Sequence, residues 1–386
     1  MKIVHLADTH LGHSAYRKIS DDGFNQREED VIRAFSDAID KIILEKPDLV
    51  LHSGDLFDSV RPTNRIVSIG IREILRLYEK NIPLVLISGN HETPKQIYKG
   101  SVYSILELLP LDRKLPGSET GYYNIVYKDK LEVFRFPGVT VHAIPQCTSD
   151  EIFKAELKKI KKDPQTRNVL MLHAGVTGMR EFTHGESNEL LVDYDWLNKT
   201  NFDYVALGHY HGFVKVGKNS WFCGSIERMS FNEVGQLKGF LEVDLSTEAK
   251  VKLIPVRTRE MIDMPPIDAS GKDSVILLDE ILTAVEKVNP QGKILRLNIK
   301  NIPQHVMNTL DTKRIKEAAK DATHFEPRYE RISEEGKLEN IKITGGGIRE
   351  EFGSFLEANQ GLSAPDKEKF IELWSSNYDE IMKEEE

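Results

Sequence analysis

Apolar segments of strand length recur through the first 211 residues of this chain, and amphipathic segments separate the first three. The apolar segments are KIVHLAD (2–8), DLVLHSGD (48–55), IPLVLISGN (82–90), VTVHAIP (139–145), NVLMLHAG (168–175) and FDYVALGHYH (202–211). Residues 27–46 and 65–81 instead repeat apolar side chains at three- and four-residue intervals, the spacing of one helix face. Strands that are apolar throughout and alternate with helices are typical of sheets covered on both faces. The pattern therefore predicts an α/β fold.

The second half of the chain divides into smaller parts. After about residue 212 the sequence shows short strands that we expect to extend the sheets, and Pro and Gly residues at 261–274 suggest a boundary. Beyond it the patterns predict helices near 274–288 and 311–320 and strands at 293–301 and 324–332. A Gly-Gly-Gly hinge at 345–347 precedes two helical patterns, 348–358 and 364–383. We therefore predict three parts: residues 1–265, an α+β unit over 266–345, and a helical tail over 346–386.

Composition and charge exclude some classes of protein. The chain is 40% hydrophobic, and no apolar run approaches the ~20 residues of a membrane helix, so we expect a cytoplasmic protein without membrane contact. The two cysteines, Cys147 and Cys223, are far apart in apolar surroundings, which favours buried thiols over a disulfide. The net charge is −9, and residues 345–386, with eleven acidic and four basic residues, carry −7 of it. The rest is nearly balanced, so net charge neither indicates nor excludes a nucleic-acid partner.

Five of the apolar segments end in residues that commonly bind metal ions. These residues are Asp8, His10, Asp55, Asn90, His91, His173, His209 and His211. If the strands are parallel, their carboxyl ends meet at one edge of the sheets, where open α/β folds bind ligands. Residues two apart in an extended chain point the same way, so we expect Asp8 to share a face with His10, and His209 with His211.

The chemistry of these eight donors is that of a transition-metal site. Carboxylates, an amide and imidazoles without thiolates suit Mn²⁺, Fe²⁺ or Zn²⁺ better than Ca²⁺ or an iron–sulfur cluster. Eight donors exceed the needs of one ion and fit two ions that share a carboxylate. A single Asp-x-His or Gly-Asn-His could be an ordinary turn, but the ordered set is not expected by chance. Gly54, Gly89, Gly175 and Gly208 adjoin the donors, and we expect them to permit tight turns there.

The order D-x-H, G-D, G-N-H, H and G-H-x-H resembles the calcineurin-like metallophosphoesterase superfamily. Within it, HLADTHLG, GDLFDSVRP, SGNHET and GSIERMSF resemble the SbcD family, known in archaea and eukaryotes as the meiotic-recombination-eleven nucleases. The resemblance is strong over residues 1 to about 240 and looser beyond. It implies a two-layered β core of sheets flanked by helices, a small α+β capping domain that helps to hold DNA, and a helical C-terminal tail.

The resemblance also implies a role for each donor. It divides the metal ligands into two groups with Asp55 bridging them: Asp8, His10 and His211 at the first ion, and Asn90, His173 and His209 at the second. Two Mn²⁺ ions are expected, with Mg²⁺, Fe²⁺ or Zn²⁺ as possible occupants. His91 would stay unligated and protonate the leaving oxygen, a task that suits an imidazole because its ordinary pKa lies near neutrality.

The implied function is that of the nuclease subunit of a DNA double-strand-break repair complex. Its activities would be a Mn²⁺-dependent 3′ to 5′ exonuclease on duplex DNA and an endonuclease on single strands, both by a two-metal mechanism. The implied partners are DNA, a second copy of the chain, and an SMC-like coiled-coil ATPase of SbcC type bound through residues 346–386. The apolar stripe Phe370, Leu373, Trp374, Tyr378 and Ile381 would serve that contact, or would pack on its own domain. The alternatives are a metallophosphoesterase acting on small phosphodiesters or phosphoproteins, and a DNA-binding scaffold; the intact donor set argues against the scaffold.

One residue departs from the family pattern. Several members carry His directly after GDLF, where this chain has Asp58. Asp58 could orient a ligand imidazole or serve as a structural cap, and the sequence leaves both open. His5 and His52 lie inside apolar strands and are expected to be buried core residues. Arg61 and Lys95 flank the donor loops and could contact phosphates or remain solvated.

Overall fold

Two six-stranded sheets pack face to face and carry the metal-type residues at one end. The structure is a computed structural model that describes residues 1–94, 100–178 and 189–331; the predicted tail, 346–386, and Lys95 lie outside them. Strands and helices are numbered here in chain order. The first sheet has the order β14-β13-β1-β2-β3-β4. Its strands are β1 (Lys2–Leu6), β2 (Leu49–Ser53), β3 (Leu84–Ile87), β4 (Tyr123–Val126), β13 (Gly239–Asp244) and β14 (Lys250–Pro255).

The second sheet has the order β11-β12-β10-β7-β6-β5. Its strands are β5 (Glu132–Phe136), β6 (Val139–Ile144), β7 (Arg167–His173), β10 (Tyr204–Gly208), β11 (Val214–Lys215) and β12 (Ser220–Phe222), and a separate pair is β8 (Gly175–Val176) and β9 (Leu191–Val192). β1, β2 and β3 run parallel to one another, and so do β7 and β10. The donor-bearing ends of each sheet therefore lie at one edge, as the sequence predicted.

Helices cover the outer face of each sheet. The first sheet carries α1 (Gln26–Glu45), α2 (Asn64–Glu79) and the short α3 (Tyr103–Leu106), and the second carries α4 (Asp150–Lys158) and α5 (Tyr194–Lys199). Asn25 caps the start of α1: its side chain accepts hydrogen bonds from two backbone N–H groups of the first turn. It buries Val31, Phe35, Ile39 and Ile42, the spacing that predicted it. The inner faces of the two sheets form their own apolar core. The predicted fold class, a two-layered β core flanked by helices, is confirmed.

A third sheet of three parallel strands follows: β15 (Met261–Asp268), β16 (Ile294–Ile302) and β17 (His324–Arg331). It packs with α6 (Ser274–Val288), α7 (Gln304–Thr309) and α8 (Thr312–Ala318) around a separate core. Residues 261–274, where the sequence suggested a boundary, contain β15, a strand that the sequence did not predict. Pro265 and Pro266 are tolerated because β15 is an edge strand whose register shifts between Met264 and Ile267.

Residues Met1–Arg331 form one compact unit. The domain limits at 265 and 345 remain predictions. Among the helices that the structure describes, none combines the length and apolarity that a membrane crossing requires.

The two large sheets touch where β2 and β10 end. A Cβ atom on Gly208 would lie 2.0 Å from the Ser53 carbonyl oxygen, so only glycine lets the two backbones approach this closely. By contrast, a Cβ atom on Gly212 would meet nothing nearer than 3.6 Å.

We expect Gly208→Ala to lower the free energy of unfolding by about 2 kcal/mol or more, because the strand ends must move apart. Gly212→Ala, four residues along the chain, should change it by no more than about 0.5 kcal/mol. Urea unfolding of both variants measures the difference. Equal midpoints for the two variants would contradict a close approach of β2 and β10.

Candidate metal centre

Four of the predicted site residues have left-handed backbone conformations. Their φ angles are 51° at Asp8, 46° at His10, 55° at Asp55 and 104° at His209. Side-chain-bearing residues seldom adopt this region, and such strain is concentrated at functional sites. The strands end earlier, at Leu6, Ser53 and Gly208. The expectation that the pairs share a face because the chain is extended was therefore wrong: turns beyond the strands direct these side chains inward.

Two neighbouring loops hold one another in this conformation. The N–H of Asp8 donates to the carbonyl of Gly54 at 3.0 Å, and the N–H of His10 donates to the carbonyl of Asp55 at 3.0 Å. The loop after β10 joins them, since the N–H of His209 donates to Asp8 Oδ1 at 2.9 Å. Backbone bonds between loops, rather than strand periodicity, thus bring the donors together.

The residues predicted for the first ion converge. Donor atoms of Asp8, His10 and His211 all lie within 4.8 Å of one another. The Nε2 atoms of His10 and His211 are 3.1 Å apart. The two rings thus face a common point.

The residues predicted for the second ion lie beside them. Asn90 Oδ1 is 2.8 Å from His173 Nε2 and 3.2 Å from His209 Nδ1. The Asp55 carboxylate lies between the two groups, with Oδ2 3.3 Å from His173 Nε2 and 3.8 Å from His10 Nε2. The structure therefore brings all seven predicted ligands to one place, with Asp55 where a bridging residue is expected.

An acceptor lies beside the outward nitrogen of each of these imidazoles. The four pairs are His10 Nδ1 with Asp58 Oδ1 (3.1 Å), His173 Nδ1 with the Ser53 carbonyl (2.9 Å), His209 Nε2 with Glu189 Oε1 (3.1 Å) and His211 Nδ1 with Glu233 Oε1 (3.1 Å). At His173, His209 and His211 this contact is a hydrogen bond, which places the proton on the outward nitrogen and leaves the lone pair of the other nitrogen facing the centre. His10 Nδ1 lies at ion-pair distance from Asp58 without hydrogen-bond geometry. Metal-binding histidines are held in this way. The donor set and its tautomers fit divalent transition-metal ions.

Asp55 and His173 shift the pKa of one another. Burial alone would raise the pKa of Asp55, but His173 and His10 hold it well below its usual range. Burial alone would lower the pKa of His173, but the Asp55 carboxylate raises it to about 9. With its pKa at about 9, His173 is expected to be protonated at neutral pH, and a metal ion that bound to its ring would displace that proton.

His91 lies at the open edge of the site. Its N–H donates to Asp55 Oδ1 at 3.0 Å, and its ring Nδ1 is 2.9 Å from the Asp58 carbonyl. Its side chain is 36% exposed, whereas the rings of His10 and His173 are buried. Burial tends to lower the pKa of His91, but Asp55 and the Asp58 carbonyl raise it overall. His91 can also approach the centre, because a donor atom of it lies within 4.8 Å of donors on His10 and Asp55.

Asp58 lies beside two imidazoles, which favours an orienting role for it over that of a structural cap. Its Oδ1 atom is 3.1 Å from His10 Nδ1 and 3.4 Å from His13 Nδ1. Burial would raise the pKa of Asp58, but these two rings hold it well below its usual range.

His5 and His52 are buried, as expected: His5 contacts the Tyr204 hydroxyl at 2.8 Å and His52 the Thr9 hydroxyl at 3.1 Å.

Several residues that support the site were missed in the sequence. Glu92 is fully buried and accepts hydrogen bonds from the N–H groups of Phe57 (2.6 Å) and Gly89 (2.8 Å). Its position directly after Gly-Asn-His was a usable signal. Glu189 and Glu233 gave none, because they lie 20 and 22 residues along the chain from the histidines that they contact. The role of Gly89 was also misjudged: a Cβ there would lie 2.1 Å from Asp55 Oδ1, so this glycine provides space.

The model of the calcineurin-like phosphoesterase family matches residues 1–213. The chain belongs to this family. A DNA double-strand break repair protein Mre11 from Methanococcus maripaludis is 32% identical over 267 residues, 66% of this chain and 66% of that protein. Another Mre11, from Thermoplasma acidophilum, is 26% identical over 99% of this chain and 96% of that protein. A component of the nuclease SbcCD from Staphylococcus epidermidis is 28% identical over 68% of this chain and 72% of that protein. The resemblance of this phosphoesterase to the SbcD family is confirmed.

Binding of Mn²⁺ should release protons, because His173 has to lose its proton to become a ligand. With the pKa of His173 at about 9, apparent affinity should fall as pH is lowered from 9, by up to about tenfold per pH unit for each proton released. Calorimetric titrations at pH 7 in buffers of different ionisation enthalpy measure the number released. Identical heats in all buffers would contradict a protonated His173.

Proposed function

We propose that this phosphoesterase is a metal-dependent DNA nuclease, the nuclease subunit of a double-strand-break repair complex. The observation that carries the proposal is the convergence of seven predicted donors, four of them imidazoles whose outward nitrogens lie within 3.1 Å of acceptors. The printed names of the relatives support DNA as the substrate, since they are DNA repair proteins and part of a nuclease.

Each ligand has a proposed place. Asp8, His10 and His211 would hold one ion, Asn90, His173 and His209 the other, and Asp55 both. Bound there, two divalent ions (Mn²⁺, with Mg²⁺, Fe²⁺ or Zn²⁺ as possible occupants) would activate water and stabilise negative charge on the phosphoryl oxygens. Around them Asp58, Glu189, Glu233 and the Ser53 carbonyl keep the ligand rings in place.

His91 would supply the proton that the departing oxygen needs. Its Nδ1 lies 2.9 Å from the Asp58 carbonyl, which places one ring proton there and leaves Nε2 to deliver the other. The neighbouring Asp55 charge favours the protonated ring, and the exposure of the side chain lets a phosphodiester reach it. Arg61 is exposed in the loop that follows Asp58 and could position DNA through its phosphates.

The finer assignments are also proposals. They are 3′ to 5′ exonuclease activity on duplex DNA, endonuclease activity on single strands, a DNA-capping role for residues 266–345, and binding of an SbcC-type ATPase through residues 346–386. The Staphylococcus relative, named as a subunit of the nuclease SbcCD, supports a second kind of subunit as partner, and the alignment with the Thermoplasma relative covers 99% of this chain, which includes most or all of the tail. A homodimer is proposed as well, and exposed Ile105 (50%) and Leu108 (82%), at and just beyond α3, offer apolar surface for one. The protein would act at DNA in the cytoplasm.

The nuclease proposal is tested by digesting a labelled linear duplex with Mn²⁺, with Mg²⁺ or with EDTA. We expect cleavage with Mn²⁺ that EDTA abolishes. His91→Ser should lower the rate about 100-fold or more, the usual contribution of a general acid, with metal content unchanged. Lys199→Ser, at an exposed position on α5 outside the proposed capping unit, is the control and should cleave at the wild-type rate.

A small phosphodiester is assayed in parallel. Turnover of that compound without DNA cleavage would replace the nuclease with the alternative, a metallophosphoesterase that acts on small substrates. Absence of both activities, in protein shown to bind two Mn²⁺ ions, would also refute the proposal for the chain alone.

The tail proposal is tested by co-purification with an SbcC-type ATPase. Trp374→Asp places a charge in the predicted apolar stripe and should abolish the complex, because a buried unpaired charge is costly. Ser376→Asp, outside the stripe, should leave it intact. DNA cleavage by the isolated protein should be unchanged in both variants. If Ser376→Asp also abolished the complex, added negative charge anywhere in the tail would explain the loss, and the apolar stripe would not be implicated.

A further inference from the structure

A single turn joins a predicted metal ligand to the third sheet. This turn, Phe231–Glu233, is a 3-10 turn in the loop after β12. At one end, Glu233 Oε1 lies 3.1 Å from His211 Nδ1. At the other, the ring of Phe231 packs in one apolar cluster with Met261 of β15 and Ile294 of β16. The acceptor that holds the His211 ring is thus anchored on the third sheet.

The Glu233 side chain cannot turn away independently. The fully buried Lys238 ammonium forms an ion pair with Glu233 Oε2 and donates to the His211 carbonyl (2.8 Å) and the Ser225 hydroxyl (2.9 Å). Lys238 therefore binds both the backbone of the ligand and the carboxylate that orients its ring. With Glu233 fixed to Lys238, the position of the turn sets the position of the His211 ring.

The third sheet makes further contacts with the same surroundings. Arg296 of β16 lies over the Phe231 ring, 4.5 Å from its centroid. His324 of β17 stacks on Tyr16, with ring centroids 3.8 Å apart and planes inclined by 11°. Tyr16 lies in the loop that continues from His10 into α1. The loop that continues from His10 and the loop whose Glu233 contacts the His211 ring therefore both reach the third sheet.

Ligands of the second ion are held differently. His173 is oriented by the Ser53 carbonyl of β2, and His209 by Glu189. These acceptors are attached to the two large sheets and their loops. A shift of the third sheet should consequently disturb one metal position and spare the other.

We propose that the position of the third sheet relative to the Phe231–Glu233 turn determines how tightly a metal ion binds between Asp8, His10 and His211. Glu233 and Phe231 are positioning residues in this proposal, which rests on the two-metal centre proposed above. The coupling between the third sheet and the ion is reciprocal. An ion bound at this position would stabilise the packing of the third sheet on the turn by the same free energy.

The test is a Mn²⁺ titration of the full chain by calorimetry and by electron paramagnetic resonance. Two ions roughly 3.5–4 Å apart give a spin-coupled spectrum, and an isolated ion gives six lines. We expect Glu233→Gln to weaken one of the two binding events about 10- to 100-fold and spare the other, the usual cost of losing an outer partner of a metal ligand. Phe231→Ala should weaken the same event, and six-line spectra should replace the coupled signal when about one equivalent is bound.

Two further variants separate positioning from general stability. Phe231→Leu keeps an apolar side chain against Met261 and Ile294 and should retain the coupled spectrum. Phe136→Ala removes an equally buried ring from β5, at the far edge of the second sheet, and should retain both binding events. Unfolding midpoints of all variants show whether Phe231→Ala and Phe136→Ala are similarly destabilised.

Each outcome decides between the proposals. If Glu233→Gln loses one ion but Phe231→Ala binds both as tightly as wild type, the third sheet does not control the position. If Phe136→Ala loses metal as Phe231→Ala does, the effect is general destabilisation. Either result overturns the inference and leaves the two-metal centre standing. A wild-type protein that binds fewer than two Mn²⁺ ions would instead refute the centre itself.

Discussion

The site depends on the contact between the ends of β2 and β10. There the Ser53 carbonyl lies where a side chain on residue 208 would have to be, and a Cβ on Gly54 would lie 2.3 Å from His173 Nδ1. Larger residues would push the two sheets apart at this edge. The predicted ligands from the first sheet (Asp8, Asp55) could then no longer meet those from the second (His173, His209). The predicted metal centre is possible because two backbones approach without side chains between them.

The close approach of the predicted ligands brings like partial charges together, so positive charge is needed among them. Buried carboxylates and ring lone pairs facing one another repel unless positive charge lies among them, and in the metal-free protein protons on groups such as His173 supply it. The carboxylates beside the outward ring nitrogens lie further from the centre and add negative charge there. This charge raises the basicity of the imidazoles and strengthens the preference of the site for cations. Left-handed backbone at Asp8, His10, Asp55 and His209 adds conformational strain. An ion bound among these residues would therefore stabilise an arrangement that the fold otherwise holds at a cost in free energy.

The sequence predicted the donors better than the reasons for their convergence. Donors are read from residue type and order, and long amphipathic segments such as α1 follow from helical periodicity. Local periodicity does not describe the turns at Asp8 and His209, because backbone bonds to Gly54 and Asp8 from distant segments determine them. β15 was missed because Pro265 and Pro266 oppose strand propensity, while edge position and a register shift accommodate them. Glu233 and Lys238 could not be identified from the sequence, because only the folded structure brings them into contact with His211.

The attachment of the third sheet depends on directional charge as well as on apolar area. The Arg259 guanidinium, just before β15, binds both carboxylate oxygens of the buried Asp30 on α1 and also the Gly292 carbonyl that precedes β16. Arg27, itself buried, donates to the same Asp30 at 2.8 Å. An apolar patch such as Phe231, Met261 and Ile294 tolerates sliding, whereas a two-point guanidinium–carboxylate pair permits only one orientation. Breaking it would leave a buried charge unpaired. The network of Arg259, Asp30 and Arg27 therefore fixes the orientation of the third sheet more precisely than the small apolar contact could. This orientation in turn determines how Glu233 contacts the ring of His211.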